Sequence, residues 1–242
     1  MKKFLVIGNP IEHSQSPKLH NYWIKKNNIN AIYEKKKLSE RDLQRVILQI
    51  REKKINGINI TVPFKKAVIP FLDKLTYEAE KTQSVNTIYL NKDNVVGHNT
   101  DIIGFEESIK KSKFELKNKK VLILGAGGVV PSIIFSLNKM KVSKVIISNR
   151  TKSKAENLKK LFKNLIVVDW GDIPDFDLVI NATSIGLKKD DKIKLDFSIF
   201  AGNKIFYDVI YNPKETDFLK SAKDLGNVVL NGKLMFIYQA FS

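Results

Sequence analysis

The sequence predicts an α/β protein in two parts, an N-terminal α/β part followed by a doubly wound one. Three observations carry this expectation. Short apolar runs alternate with helix-patterned segments along the whole chain. The runs of the second half are nearly continuous, as in Lys120-Val121-Leu122-Ile123-Leu124, which suits parallel strands covered on both faces. That run opens directly into Gly125-Ala126-Gly127-Gly128, ahead of a segment with helical patterning.

Residues 4–7 form a short apolar run closed by Gly8, a first strand. A helix follows Pro17 over 20–26, and residues 31–33 read as a second strand. Ser39 and Asp42 stand at capping-box spacing. Behind them Leu43, Val46, Ile47 and Ile50 repeat at i, i+3, i+4 and i+7, giving a helix with one apolar face. Residues 57–61 are a strand, with a helix expected from near Phe64, and 85–90 a further strand ending in the polar turn 91–94. A charged helix over 102–112 leads to a basic stretch. Beyond it come strands at 120–124, 145–148, 166–168, 178–181 and 205–208, with helices expected at 129–139 and 153–162.

Composition narrows the function classes. At 242 residues with 43% hydrophobic content, the chain can bury one large core or two modest ones. No apolar stretch approaches the roughly 18 residues that cross a bilayer, so no membrane role is expected. The N-terminal run is too short for a signal peptide. The absence of cysteine excludes disulfide and thiolate chemistry and fits a cytoplasmic protein. A net charge of +17, from 42 Lys and Arg against 25 Asp and Glu, raises the question of nucleic acid. The lysines are spread along the chain and no zinc-finger or basic-region pattern accompanies them, so a solvated surface is the preferred reading and no nucleic-acid partner is expected.

The loop Gly125-Ala126-Gly127-Gly128 has a physical use for each glycine. Glycine lets the strand turn sharply, lets a pyrophosphate approach the backbone, and leaves the next helix start to offer its N–H groups to that anion. The pattern is G-x-G-G, with Pro131 near the place of a last glycine, and a tight structural turn would use the same residues. Proline is tolerated in a first helical turn, where its missing N–H has no intrahelical partner. The next strand ends in Asn149-Arg150-Thr151. An acid there would bind an adenosine ribose diol, whereas Arg150 suits a 2′-phosphate, with Lys152 and Lys154 adding charge. NADP(H) is therefore expected over NAD(H).

Four polar clusters stand out. Gly8-Asn9-Pro10-Ile11-Glu12-His13-Ser14-Gln15-Ser16-Pro17 follows a strand, and its two hydroxyls could hold a small carboxylate or simply cap a helix. Asn59-Ile60-Thr61-Val62-Pro63-Phe64-Lys65 also ends a strand, with Lys65 readable as a solvated lysine. Ser84-Val85-Asn86-Thr87 and Gly97-His98-Asn99-Thr100-Asp101 are the others, with Asp101 at a helix start that favours a carboxylate in any case. With three histidines and no cysteine, no metal site is expected.

Taken in order, these segments resemble the shikimate dehydrogenase family over nearly the whole chain. Asn181-Ala182-Thr183-Ser184-Ile185-Gly186, Asp208-Val209-Ile210-Tyr211-Asn212-Pro213 and the stretch from Gly232 to Gln239-Ala240 complete the pattern. The resemblance implies an N-terminal α/β substrate domain, residues 1–103 and 232–242, and a Rossmann-like NADP-binding domain, residues 104–231. It implies reversible NADPH-dependent reduction of 3-dehydroshikimate to shikimate, a step toward chorismate and the aromatic amino acids. Lys65 and Asp101 would be catalytic, with Lys65 stabilising the oxyanion and delivering or relaying a proton and Asp101 fixing the lysine and a neighbouring hydroxyl. Ser14, Ser16 and Thr61 would hold the carboxylate; Lys65, Asn86, Asp101 and Gln239 the ring hydroxyls; Tyr211 would line the site. Gly125, Ala126, Gly127, Gly128, Asn149, Arg150, Thr151, Lys154, Thr183 and Gly232 would bind the cofactor.

The chain departs from the family at Pro131 and in a short final helix ending at Ser242, which could loosen the substrate domain. The rival readings are a relative that also takes quinate or prefers NAD, a cofactor-binding protein without turnover, and a nucleic-acid binder. A small-molecule enzyme acting as a monomer or homodimer is expected.

Overall fold

In the computed structural model, which describes residues 1–188 and 191–242, the chain divides into two units, Met1–Thr100 and Asp101–Ser242.

The first unit is built on a six-stranded mixed sheet. Its strands are β1 (Lys2–Gly8), β2 (Ala31–Lys37), β3 (Gly57–Ile60), β4 (Lys74–Leu75), β5 (Thr87–Asn91) and β6 (Asn94–His98), in the order β2-β1-β3-β5-β6-β4. β1, β2 and β3 are parallel, whereas β5 runs antiparallel to both β3 and β6. The alternation of side chains along β1 sorts the core. Leu5 and Ile7 join Ile58, Ile60 and the apolar face of α2 (Leu43–Arg51), while Val6 packs with Tyr33 and Ile24 of α1 (Ser16–Lys26). The remaining helix of this unit is α3 (Tyr77–Thr82).

The second unit carries a six-stranded, all-parallel sheet. Its strands β7 (Lys120–Leu124), β8 (Lys144–Ser148), β9 (Ile166–Val168), β10 (Leu178–Asn181), β11 (Ile205–Asp208) and β12 (Val228–Asn231) lie in the order β12-β11-β10-β7-β8-β9. Both faces are covered. Val121 and Ile123 meet α4 (Asp101–Ser112) and α5 (Val130–Lys139) through Phe105, Ile109, Ile133 and Leu137. Leu122 and Leu124 face the opposite layer, where Phe206 packs with Phe218 and Leu219 of α7 (Asp217–Asp224) and with Phe176 and Phe200. Such two-sided burial is why these strands are apolar without interruption. The helices α6 (Lys152–Leu158) and α8 (Lys233–Phe241) complete the unit, with α8 packed along α4.

Several sequence expectations need correction. No helix starts at Phe64: the segment is a series of turns leading to a single 3₁₀ turn, Ile69–Phe71. Pro70 removes an N–H group that the interior of such a helix would need. The capping box at Ser39 forms, but over a 3₁₀ turn, Glu40–Asp42, that precedes α2. β2 runs on to Lys37 because an edge strand can turn its lysines to water. The 85–90 strand begins at Thr87, and the helix expected over 153–162 stops at Leu158. Sequence periodicity passed over α3 and β6. No helix among the described residues is long and apolar enough to cross a membrane.

Candidate active site

Topology gathers the polar clusters of the first unit at one sheet edge. β1 and β3 end there. β5, running the other way, begins there, and β6 ends there. Val6, Asn59, Thr87 and His98 are therefore aligned across four strands. The segments beyond them are tied together by backbone bonds. Asn9 N–H donates to Val62 O and Thr61 N–H to Ile7 O, both at 2.9 Å, and Asn86 N–H donates to His98 O at 3.0 Å. Val85 N–H donates to Lys65 O at 2.8 Å, which places the half-buried Lys65 segment beside Asn86. Gly8 permits this close approach, since a Cβ there would stand 2.5 Å from Thr61 Cγ2. Ser14, Thr61, Lys65 and Asn86 on loops, and Ser16 at the start of α1, thus lie toward one edge.

Within that edge the side chains form a hydrogen-bonded row. Thr100 clamps the buried Asn86 amide: its N–H donates to Asn86 Oδ1 at 2.9 Å, and Asn86 Nδ2 donates to its hydroxyl at 2.9 Å. Thr87 Oγ1 donates to Asn86 Oδ1 and accepts from Asn59 Nδ2, both at 3.0 Å. Asn59 Oδ1 accepts from the Tyr33 hydroxyl at 2.6 Å. Burial raises the Tyr33 phenol above its usual range, with the Ser16 hydroxyl as a smaller opposing cause. His20 stacks on Tyr33, centroids 4.2 Å apart, and burial lowers its pKa to about 4, so it stays neutral at physiological pH. Asn99, wholly buried, donates to Thr82 Oγ1 at 3.1 Å and to Ser84 O at 2.8 Å, which fixes the turn just before Asn86.

The second unit presents its own set at the carboxyl edge of the parallel sheet. From the central β7 the chain proceeds to β8 on one side, while β10 flanks the other, so the glycine loop sits where strand order reverses. Gly125 has φ +105°, and a Cβ on it would stand 2.9 Å from Ala182 O. Gly127 and Gly128 are exposed ahead of α5, with Ala126 half-buried, and Pro131 lies in the first turn of α5, where its missing N–H removes no bond. Asn149, Arg150 and Thr151 follow β8, with Asn149 Nδ2 donating to Thr151 O at 2.7 Å. Arg150 and Lys154 are exposed, and Lys152 pairs with Asp169 at 2.7 Å. This set fits a phosphorylated dinucleotide: a tight glycine turn, a helix start for the pyrophosphate, and cations with no acid at the end of β8.

Behind that edge lies a polar hub. Asn181 Nδ2 donates to both carboxylate oxygens of Asp208 at 3.1 Å and to Ile185 O at 3.1 Å. Thr183 donates its N–H and hydroxyl to Asn181 Oδ1, at 3.1 and 2.7 Å. Asp208 also accepts from Ile210 N–H at 2.9 Å and from the Thr216 hydroxyl at 2.6 Å. Burial pushes its carboxyl upward, against these donors. Tyr211, just beyond, stacks on Phe236 of α8 with centroids 4.4 Å apart. Gly232 is the N-cap of α8, where a Cβ would fall 2.1 Å from Val209 O. Asp101 is the buried first residue of α4, and Gly104, one turn on, lets α8 come close, since its Cβ would stand 2.7 Å from Gln239 Cβ. A cleft of about 400 Å³ lined by Gly186, Asn212, Glu215 and their neighbours contains none of the sequence-predicted site residues. Sequence reasoning did not single out Tyr33 or Thr216, because one reads as a strand apolar and the other as an ordinary helix cap.

The chain resembles known proteins over nearly its whole length. Residues 6–88 match the family model described as shikimate dehydrogenase substrate binding domain, and residues 108–188 that of shikimate / quinate 5-dehydrogenase. A shikimate dehydrogenase (NADP(+)) of Pelagibacter ubique is 58% identical over 239 residues, covering 99% of this chain and 90% of that protein. The chain belongs to the shikimate dehydrogenase family. Among solved members of the family, the Aquifex aeolicus enzyme superposes with a TM-score of 0.91 at 36% identity, covering 99% of this chain and 90% of that one. The Thermus thermophilus shikimate 5-dehydrogenase, solved in complex with NADP(H) and shikimate, superposes with a TM-score of 0.90 at 31% identity, with the same coverage. The two-part α/β architecture expected from the sequence is thus that of shikimate dehydrogenases.

Proposed function

We propose that this chain reduces 3-dehydroshikimate to shikimate with NADPH, reversibly, as a step toward chorismate and the aromatic amino acids. The observation that carries the reading is the pairing of two sheet edges in one chain. One gathers Ser14, Ser16, Thr61, Lys65 and Asn86, and the other is a glycine turn with Arg150 in place of an acid. The full-length likeness to the Pelagibacter ubique enzyme supports it.

When bound, NADPH supplies the hydride equivalent for the ring ketone. Gly125, Ala126, Gly127 and Gly128 would hold its pyrophosphate and Asn149, Arg150, Thr151 and Lys154 its phosphorylated ribose, with Thr183 and Gly232 also lining the cofactor site. Ser14, Ser16 and Thr61 bind the substrate carboxylate through neutral donors. Asn86 and Gln239 hold ring hydroxyls, and Tyr211 lines the site. Lys65, as an ammonium, stabilises negative charge growing on the ketone oxygen and gives that oxygen its proton. Asp101 holds the lysine and a neighbouring hydroxyl in place. On this reading the functional halves are 1–103 with 232–242, and 104–231, so α4 at its start and α8 serve the substrate. The protein acts in the cytoplasm on a small molecule, as a monomer or homodimer, with no nucleic-acid or membrane partner.

Nicotinamide absorbance of the purified protein, offered shikimate or quinate with NADP⁺ or NAD⁺, tests this. Turnover of shikimate with NADP⁺, at higher kcat/KM than any other pair, is expected. Faster quinate turnover, or preference for NAD⁺, would replace the reading with a relaxed quinate/shikimate dehydrogenase. Absence of all turnover would end it.

A further inference from the structure

The loop that follows β10 is gripped by one side chain whose hydrogen-bonding capacity is fully used. Asn181 is wholly buried. The two lone pairs of its Oδ1 are taken by Thr183 N–H at 3.1 Å and the Thr183 hydroxyl at 2.7 Å. Of the two protons on its Nδ2, one goes to Ile185 O and the other is shared between the Asp208 oxygens, all at 3.1 Å. The amide cannot be turned over, because a carboxylate only accepts and a backbone N–H only donates. Thr183 is committed just as fully. Its hydroxyl gives its one proton to Asn181 and accepts from Ile185 N–H at 3.0 Å, so it has no proton left for a ligand. Its methyl faces the glycine turn: a Cβ on Gly125 would stand 3.0 Å from Thr183 Cγ2 and 2.9 Å from Ala182 O. Among the described residues, no side chain but Asn181 accepts from the Thr183 N–H or takes its hydroxyl proton. The far end of the loop rests on the same pair, since Gly186 packs on Thr216 Cγ2 and the Thr216 hydroxyl donates to Asp208 at 2.6 Å.

We propose that Asn181 is a positioning residue for the cofactor. Its amide holds Thr183 with the hydroxyl turned inward and the methyl against Gly125, so that Ala182 and Thr183 form a fixed wall of the glycine turn. The inference rests on the reading of Gly125 to Gly128 and Thr183 as cofactor-binding residues. It adds that Thr183 serves the dinucleotide by shape and not by donating a hydrogen bond, and that Asn181, which touches no ligand, sets that shape. The wall stands at the turn that takes the pyrophosphate. The 2′-phosphate, read by Arg150 after β8, lies outside its reach.

Thr183→Val removes the hydroxyl at nearly constant volume and keeps a methyl, whereas Thr183→Ser keeps the hydroxyl. Asn181→Ala removes the grip itself. Fluorescence titration with NADPH gives a Kd without turnover, so failure of the proposed reaction remains distinguishable from failure of this inference. We expect Thr183→Val to raise the NADPH Kd by about tenfold, Asn181→Ala by at least as much, and Thr183→Ser by at most about threefold. Adenosine 2′-phosphate, which carries no pyrophosphate, should bind all three variants within about twofold of the parent. The double variant should bind NADPH no more weakly than Asn181→Ala alone, because both substitutions act through one interaction. An unchanged NADPH Kd in Thr183→Val overturns the proposal. So does equal impairment of the Val and Ser variants, or an equal loss of adenosine 2′-phosphate binding. Additive losses in the double variant would mean that the Thr183 hydroxyl serves the cofactor directly, and would overturn it too. Should Asn181→Ala not fold, the comparison of Thr183→Val with Thr183→Ser decides by the same outcomes.

Discussion

Asn181 and Asp208 face each other across neighbouring parallel strands, with one amide nitrogen 3.1 Å from both carboxylate oxygens. This pair shapes the loops after β10 and β11, because the remaining bonds of each residue go to Thr183, Ile185, Ile210 and Thr216. Every partner of Asp208 is a donor. Asp208→Asn would turn an NH₂ group toward at least one of them in a fully buried site. A loss of about 1–3 kcal/mol is expected in urea unfolding. A variant as stable as the parent would show that the hub is not under the constraint its geometry implies.

The close packing of α4 on α8 makes a second prediction. A methyl at Gly104 would meet Gln239 Cβ and Met235 O, both at 2.7 Å. Gly104→Ala should therefore displace α8 and Gln239, costing roughly 1–3 kcal/mol and raising the shikimate KM more than the NADP⁺ KM. Thermal unfolding and steady-state kinetics read the two effects separately.

Arg150 stands at the end of β8, where an acid would disfavour a 2′-phosphate. On the proposed reading, Arg150→Asp removes paired charge-assisted bonds to the 2′-phosphate and adds repulsion. The NADP⁺ KM should rise about 10- to 100-fold while that for NAD⁺ changes far less. Unaltered discrimination between the two cofactors would take Arg150 out of the cofactor site.

The sequence made the second unit more legible than the first. Parallel strands buried on both faces, such as Val121-Leu122-Ile123-Leu124, announce themselves by composition, and the glycine turn follows one of them directly. In the first unit the antiparallel β5 and β6 are half polar, and Gly97-His98 reads as loop. The segment after Thr61 imitates a helix start because Phe64, Ala67 and Val68 have helical spacing, yet Pro70 interrupts the helix and the segment stays in turns. The polar clusters were visible as segments. Their joint geometry was not, since the Tyr33–Asn59 bond spans 26 residues and depends on sheet order.

The half-buried histidine of α1 makes stability depend on pH. His20 titrates near 4 in the folded chain because burial disfavours its charged form, against 6.5 as its ordinary value. The unfolded chain therefore binds a proton first as pH falls. Stability is retained above about 6.5 and lost progressively toward 4, by on the order of 2–3 kcal/mol from this group. His98, also lowered by burial, acts in the same direction. His20→Phe keeps a ring against Tyr33 and should flatten part of the urea-midpoint decline between pH 6.5 and 4. An unchanged decline would assign the acid sensitivity elsewhere.

The central claim is that Lys65 does chemistry at the substrate ketone. Steady-state kinetics of Lys65→Ala with shikimate and NADP⁺ address it most directly. The account predicts a kcat reduced by about 10²- to 10⁴-fold with a much smaller change in shikimate KM and unaltered NADP⁺ binding. A variant whose kcat stays near that of the parent, whatever its KM, would contradict it.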